Sequence, residues 1–226
     1  MSMINKNTSH NSKQIAIFGS GGHAVSVANV ALSAGYSIKF FIDRESKGSN
    51  LLGYEVLKNS IEILDLKNIC FAIGVGDNAA REDIYKKLIA INPELHFPAL
   101  IHDSSVISNF TKIGDGTVVM PNAVVGPNSK IGIFCLINTR SSIDHDSSMS
   151  DFSSLAPAAV TGGNVKIGFR SAISLGASVK HGVSIGDDSV LGANSYLNKD
   201  LENNQIAYGV PAKKIRIRNV GDAYLS

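Results

Sequence analysis

Tryptophan is absent from this 226-residue sequence, cysteine occurs twice, and charged residues make up only 18%. The formal net charge of +2 is too small to argue for a nucleic-acid partner or an acidic membrane surface, and Lys and Arg are scattered along the chain without a basic stripe. Cys70 and Cys135 each sit in an apolar, strand-like run. That placement fits buried, reduced thiols in a cytosolic protein better than a disulfide. From Met1 to Lys13 the chain is Asn, Ser and Lys with no apolar h-region, so a disordered leader is expected rather than a signal peptide. No apolar run reaches the roughly 20 residues that a membrane-spanning helix needs. A cytoplasmic location without membrane insertion is the expectation.

What is present is order at a spacing of six. Every sixth residue from Ile101 to Leu197 is aliphatic or Met, with Thr161 the exception. Four residues after each, from Ser105 to Ser195, stands a small or β-branched residue, as at Thr117, Ala123, Ser129, Cys135, Ser141 and Ser147. Glycine often follows the aliphatic position directly, as at Gly114, Gly126, Gly132 and Gly168. An amphipathic helix repeats its apolar residues roughly every three to four positions, so it cannot produce this period. A triangular parallel β-helix does. Each hexapeptide is a short strand plus a corner, three make an 18-residue coil, and coils stack as parallel strands about 4.8 Å apart. The large aliphatic fills the prism and the small residue fits the tight corner. Gly and Asn at corners are expected to supply φ > 0.

The first half has no such period. Gln14–Phe18 is a β-rich run, Gly19-Ser20-Gly21-Gly22-His23 follows, Ala24–Leu32 reads as a helix, and Ser37–Asp43 as a second strand. A third strand is expected over Asn68–Val75 and a charged amphipathic helix over Asn78–Ile91, before His96–Leu100 leads into the first coil. Strand, glycine-rich turn, helix and a strand ending in an acid is the opening of a nucleotide-binding, Rossmann-like α/β unit. Gly-x-Gly-Gly-His departs from the strict dinucleotide fingerprint, so a tight turn that merely needs small residues fits equally well. The unit is too short for two mononucleotide halves. A sugar nucleotide suits it better, because glycines let a diphosphate approach the backbone at a helix N-terminus. The chain then divides into a leader (1–13), the α/β unit (14–100), the β-helix (101–202) and a C-terminal segment (203–226).

Ionisable groups are sparse in the repeat, and one run stands out: Ser141-Ser142-Ile143-Asp144-His145-Asp146. Transfer of an acyl group to an amine needs a base, and a positioned His contributes about 10²–10⁴-fold in such a role. A neighbouring carboxylate, Asp146 or Asp144, would raise its basicity and fix its tautomer. A solvated polar corner is the plain alternative.

With these motifs in hand, the chain from Ile15 to Ile217 resembles the bacterial family of sialic acid O-acetyltransferases and the N-acetyltransferases of UDP-bacillosamine and GDP-perosamine synthesis. The matching segments are Ile17-Phe18-Gly19-Ser20-Gly21-Gly22-His23, Phe41-Ile42-Asp43, Ala72-Ile73-Gly74, Ile143-Asp144-His145-Asp146, Gly163-Asn164-Val165-Lys166-Ile167-Gly168 and Tyr208-Gly209-Val210-Pro211-Ala212-Lys213. The resemblance implies a left-handed β-helix, a homotrimer, and acetyl transfer from acetyl-CoA to the 4-amino group of a nucleotide-linked 4-amino-4,6-dideoxy sugar for bacterial surface glycans. It puts His145 in the role of general base, supported by Asp146. It places the nucleotide sugar at Gly21, Gly22 and His23, the base and ribose near Asp43, Arg44 and Gly74, and coenzyme A at Leu175 and Ala193, closed over by Val210 and Pro211. Many members carry a second His nine residues after the base, where this chain has Ser154, kept here as a substrate-site position. Arg44 replaces an acid of some uridine-nucleotide members.

Three rivals share these features. Acetylation of a hydroxyl, as on sialic acid, would use the same base. A non-catalytic sugar-nucleotide-binding trimer would keep the glycine-rich turn without needing His145. A zinc carbonic anhydrase would use His145 and His181, two coils apart, but the place of its third ligand is Gly186. Two imidazoles do not make the usual three-ligand catalytic zinc site, so no metal is expected.

Overall fold

The computed structural model describes residues 13–46, 48–58 and 69–224. Residues 1–12 of the leader and Asn68 lie outside them. Strand β1 (Gln14–Phe18), helix α1 (Gly22–Ser33), β2 (Ser37–Ile42), β3 (Asn50–Leu51), β4 (Tyr54–Leu57), β5 (Ile69–Ile73) and helix α2 (Asn78–Ile91) build the first unit. Its sheet runs β3-β4-β2-β1-β5. β1 pairs in parallel with β2 on one side and β5 on the other, and β3 folds back on β4 as an antiparallel hairpin absent from the sequence reading. Chain direction along the sheet reverses at β1/β5. Open α/β sheets bind ligands at such a switch point, beyond the carboxyl ends of their strands.

The repeat folds as a triangular parallel β-helix. Two-residue strands run from Leu100–Ile101 to Tyr196–Leu197, and each ends on the aliphatic position of its hexapeptide. The division expected at 100/101 therefore falls inside the first of these strands. Pairing joins residues 18 apart, as in Val124↔Ser142 and Lys130↔Ser148. The strands ending at Ile101, Val119, Ile137, Leu155, Ile173 and Leu191 stack as the first face. Those ending at Ile107, Val125, Ile143, Thr161, Val179 and Leu197 form the second, and those ending at Ile113, Ile131, Met149, Ile167 and Ile185 the third. The aliphatics meet in one continuous core. The small residues form an internal ladder: Thr117 Oγ1 donates to Gly132 O (2.8 Å) and accepts from Cys135 N (2.9 Å). Ser171 repeats this with Gly186 O and Ser189 N. A hydroxyl buried in a corner is thus satisfied on both sides, which removes the cost of burying it.

The expectation that Gly and Asn supply φ > 0 at corners holds at Asn122, Asn128, Asn164, Asn194, Gly116, Gly176 and Gly182, but other residues share the role. From Phe110 to Asn194 positive φ falls three residues after each aliphatic position and is carried mostly by residues other than glycine, among them Asn122, Asn128, Phe134, Arg140, Asp146, Phe152 and Arg170. The glycines directly after the aliphatic serve close approach instead: a Cβ on Gly126 would stand 2.6 Å from His145 N, and one on Gly168 2.5 Å from Gly186 C, in the next coil. The lysines also align more than their scatter in sequence suggested. Lys112, Lys130 and Lys166 occupy the outward position of the third face.

The outward residues of the three faces differ. On the first face Val118, Leu136, Ser154, Ala172 and Val190 are all buried. Val118 and Leu136 pack with α1 and β1, and a C-terminal hairpin of Gln205–Gly209 and Ala212–Ile217 extends the sheet. On the second face Val106 (57%), Val124 (39%), Val160 (40%) and Tyr196 (36%) remain exposed.

The two units are joined at α2. Arg81 is fully buried and spends all five donors there: Nε on Phe134 O, Nη1 on Val75 O and Gly76 O, Nη2 on Asn78 Oδ1 and Phe152 O. Asn78 Nδ2 donates to Arg170 O and Ser171 O, and Arg170 bridges Glu82 and Asp188.

Candidate active site

His145 stands at the corner between the second and third faces. Nδ1 lies 2.7 Å from Asp146 Oδ2, and the side chain is 56% exposed. Asp146 sits in the left-handed backbone slot (φ 57°), which turns its carboxylate back toward the ring. Its other oxygen accepts from Asn128 Nδ2 at 2.6 Å, and Asn128 is one coil below. Asp144 Oδ1 accepts from His145 N. The bond to Asp146, followed by the charge of Asp144, raises the His145 pKa above its ordinary value. The bond from His145, followed by that from Asn128, lowers Asp146. With Nδ1–H directed at the carboxylate, the lone pair of the neutral ring is on Nε2. Nε2 lies over Gly163, where an added Cβ would be 2.5 Å away. Sequence reading missed Asn128, and marked Gly163 only as part of a matching segment and not as a neighbour of the imidazole. Both stand one 18-residue coil from a recognised residue, Asn128 before Asp146 and Gly163 after His145.

His181 is one coil beyond Gly163 on the same corner, so the two imidazoles are separated by a glycine. Among the described residues no group of three His, Cys, Asp or Glu is placed to hold a metal ion.

The α/β unit presents a second site at its switch point. Phe18, Gly19, Ile42, Val75, Ile84 and Leu88 line an open cleft of about 430 Å³, with Asp43, Arg44, Glu45 and Lys87 also bordering it. Both oxygens of Asp43 are engaged within the chain: Oδ2 accepts from Ser20 N (2.9 Å) and Oγ (2.6 Å), and Oδ1 from Glu45 N. Asp43 thus braces the glycine-rich turn, while Arg44 is exposed. Gly21 and Gly22 are exposed, with open space where a side chain would stand. Gly21 caps α1 without a side-chain hydrogen bond, and the first turn carries no acid. This leaves the amides and positive dipole end of α1 facing outward, suited to an anion. Gly74 is buried, and a Cβ there would be 2.7 Å from Ala24 Cα, so its smallness lets α1 seat on the sheet. His23 is half-buried, and its Nε2 has no partner. Burial, with the Arg81 charge second, lowers its pKa to about 4 and keeps it neutral.

Leu175 and Ala193 are exposed at the corner between the first and second faces, one coil apart. Beyond them the hairpin exposes Val210 (73%) and Pro211, and the Tyr208 ring lies over Gly192. The four positions expected at coenzyme A are therefore brought to one end of one corner. Ser154 is elsewhere: it lies on the covered first face, 3.0 Å from Tyr224 OH.

A glycine-cornered β-helix bearing a carboxylate-held imidazole, behind a small nucleotide-binding α/β unit, defines a class of two-part acyl-transfer proteins. A family model described as the PglD N-terminal domain matches residues 14–88. The acetyltransferase domain of PglB from Neisseria gonorrhoeae is 30% identical over 90% of this chain and 100% of that one, with a TM-score of 0.83. PerB from Caulobacter crescentus, in complex with CoA and GDP-perosamine, is 29% identical over 90% of this chain and 97% of that one, with a TM-score of 0.83. WeeI from Acinetobacter baumannii, 22% identical over 89% of this chain and 99% of that one (TM-score 0.71), shares the fold. The chain belongs to the PglD-like family of left-handed β-helix sugar acetyltransferases.

Proposed function

We propose that the chain moves an acetyl group from acetyl-CoA to the 4-amino group of a nucleotide-linked 4-amino-4,6-dideoxy sugar, in the cytoplasm, with His145 as general base. The observation that carries this reading is the Asn128–Asp146–His145 chain of hydrogen bonds, which leaves a basic Nε2 on an open corner. An alkylammonium cannot attack a thioester, so its proton must be taken, and Nε2 is the atom to take it. The α/β unit holds the nucleotide: the diphosphate at Gly21, Gly22 and the α1 N-terminus, the nucleoside in the cleft by Arg44, and His23 on the sugar side. Leu175, Ala193, Val210 and Pro211 receive coenzyme A. PerB binds CoA with GDP-perosamine, and the PglB domain has been captured with acetyl coenzyme A, which supports both substrate classes.

His145 and the Leu175–Ala193 corner lie at opposite edges of the second face. One prism cannot bring them to the same acetyl group, but the corner of a second copy can. The exposed apolar residues of that face supply the contact, and a homotrimer with three shared sites follows. The test is a thiol-release assay with acetyl-CoA against UDP-, dTDP- and GDP-linked 4-amino-4,6-dideoxy sugars, with free sialic acid as contrast. Release with a nucleotide sugar is expected. Release with sialic acid alone would replace N- by O-acetylation, and no release with any would leave a binding protein.

A further inference from the structure

The C-terminal tail makes contacts that the activity above does not use. After the hairpin strand Ala212–Ile217, Arg218 N donates to Asn204 O, and Arg218 Nη1 to Asp188 O (2.9 Å). Asn219 and Asp222 close a turn, with Asn219 N donating to Asp222 Oδ2 and Asp222 N to Asn219 O. Tyr224 then lands against the loop that leaves β5. Its N–H donates to Asp77 Oδ2 (3.0 Å), and its hydroxyl donates to Gly76 O (3.2 Å) and meets Ser154 Oγ at 3.0 Å. Asp77 is the N-cap of α2, accepting from Ala79 N and Ala80 N. Tyr224 is half-buried, and the burial around its hydroxyl raises its pKa, so the phenol stays protonated and able to donate.

The loop and helix it grips form one wall of the nucleotide cleft. Val75 precedes Gly76, and Ile84, Lys87, Leu88 and Ile91 of α2 line the same cleft. The opposite wall, Phe18 to Gly19 and Ile42 to Glu45, is fixed by β1, β2 and the Asp43–Ser20 bonds. The width of the cleft therefore depends on how α2 is held. Arg81 holds it from within, and Tyr224 from the prism side.

We propose that Tyr224 is a positioning residue: the tail is a strap that sets the α2 wall of the cleft, and so the affinity for the sugar nucleotide, without touching the acetyl donor. This rests on the activity proposed above. Tyr224→Phe removes the hydroxyl bonds to Gly76 and Ser154 and keeps the ring. Ending the chain after Gly221 removes the whole grip. Ser154→Ala removes one bond from the other side.

Steady-state kinetics for both substrates and hydrogen exchange of segment 74–91 in the unliganded protein provide the test. Two net hydrogen bonds lost predict a KM for the nucleotide sugar roughly five- to tenfold higher in Tyr224→Phe. The KM for acetyl-CoA should stay within about twofold, and exchange at 75–80 should quicken. Ser154→Ala should follow the same pattern more weakly, and the truncation more strongly. Equal increases in both KM values would mean general loosening and overturn the proposal. Unchanged nucleotide-sugar KM and unchanged exchange, in variants of an active wild-type protein, would overturn it while leaving the activity intact. A wild-type protein that turns over no nucleotide sugar would overturn both.

Discussion

The left-handed slot that recurs along the hexapeptides is filled by Phe134 and Phe152 at one corner and by Asn128 and Asp146 at another, with φ between 51° and 58° in all four. At the first corner the two rings stack 5.5 Å apart and 3° from parallel, with Tyr85 and Phe97 packed against them. At the second corner the side chains stay polar and exposed, and they hold His145. The backbone is the same, so it does not choose between stability and chemistry. The choice is made by what covers the corner. α2 lies over the aromatic one, and among the described residues nothing lies over the other.

That contrast can be broken in order of cost. Phe152→Ala opens a cavity in the aromatic stack and should destabilise the fold by about 3–5 kcal/mol. Urea unfolding measures this, while kcat well below the transition should stay near wild type. His145→Ala should lower kcat by about 10²-fold or more, leaving sugar-nucleotide affinity and thermal midpoint close to wild type. Retention of most of the kcat would point to substrate-assisted transfer and remove His145 from the base role. Gly163→Ala needs room that the imidazole occupies, so a kcat loss of roughly tenfold is expected from a misplaced base. An unaltered kcat would show that the ring has another productive rotamer.

The smallest effect concerns pH. His145 works as a base only when neutral, so activity falls as pH drops through its pKa. Asp146 raises that pKa, which puts the acidic limb of kcat/KM above the ordinary His value of about 6.5. Asp146→Asn removes the main cause and should move the limb to lower pH with a modest loss of kcat. A limb that stays in place would assign it to another group.

The prism was readable residue by residue, because a strand ending at every sixth position leaves a mark in side-chain size that survives any surface variation. His145 and Asp146 were readable because they are adjacent. Asn128 and Gly163 were hidden only by distance in sequence. The role of Arg81 was hidden in kind: four of its five partners are backbone carbonyls, and no side-chain pattern announces those. The same holds for Tyr224 and Gly76. Gly74 and Asp43 were recognised as special but for ligand contact, whereas one gives α1 its seat and the other braces the turn. Small residues and acids near a phosphate-binding turn serve both purposes with the same letters.

The 18-residue pairing also fixes how such a molecule can change size. Inserting one residue within a coil would move every later aliphatic out of the core and every later corner residue off its slot. Length can therefore be added only as whole coils or as loops extruded at a corner. Each whole coil lifts everything above it by about 4.8 Å. The height separating the imidazole of His145 from the corner of Leu175 and Ala193 is in this sense a ruler with fixed graduations. A longer or shorter acyl donor could be matched by choosing a graduation, and not by sliding between two of them.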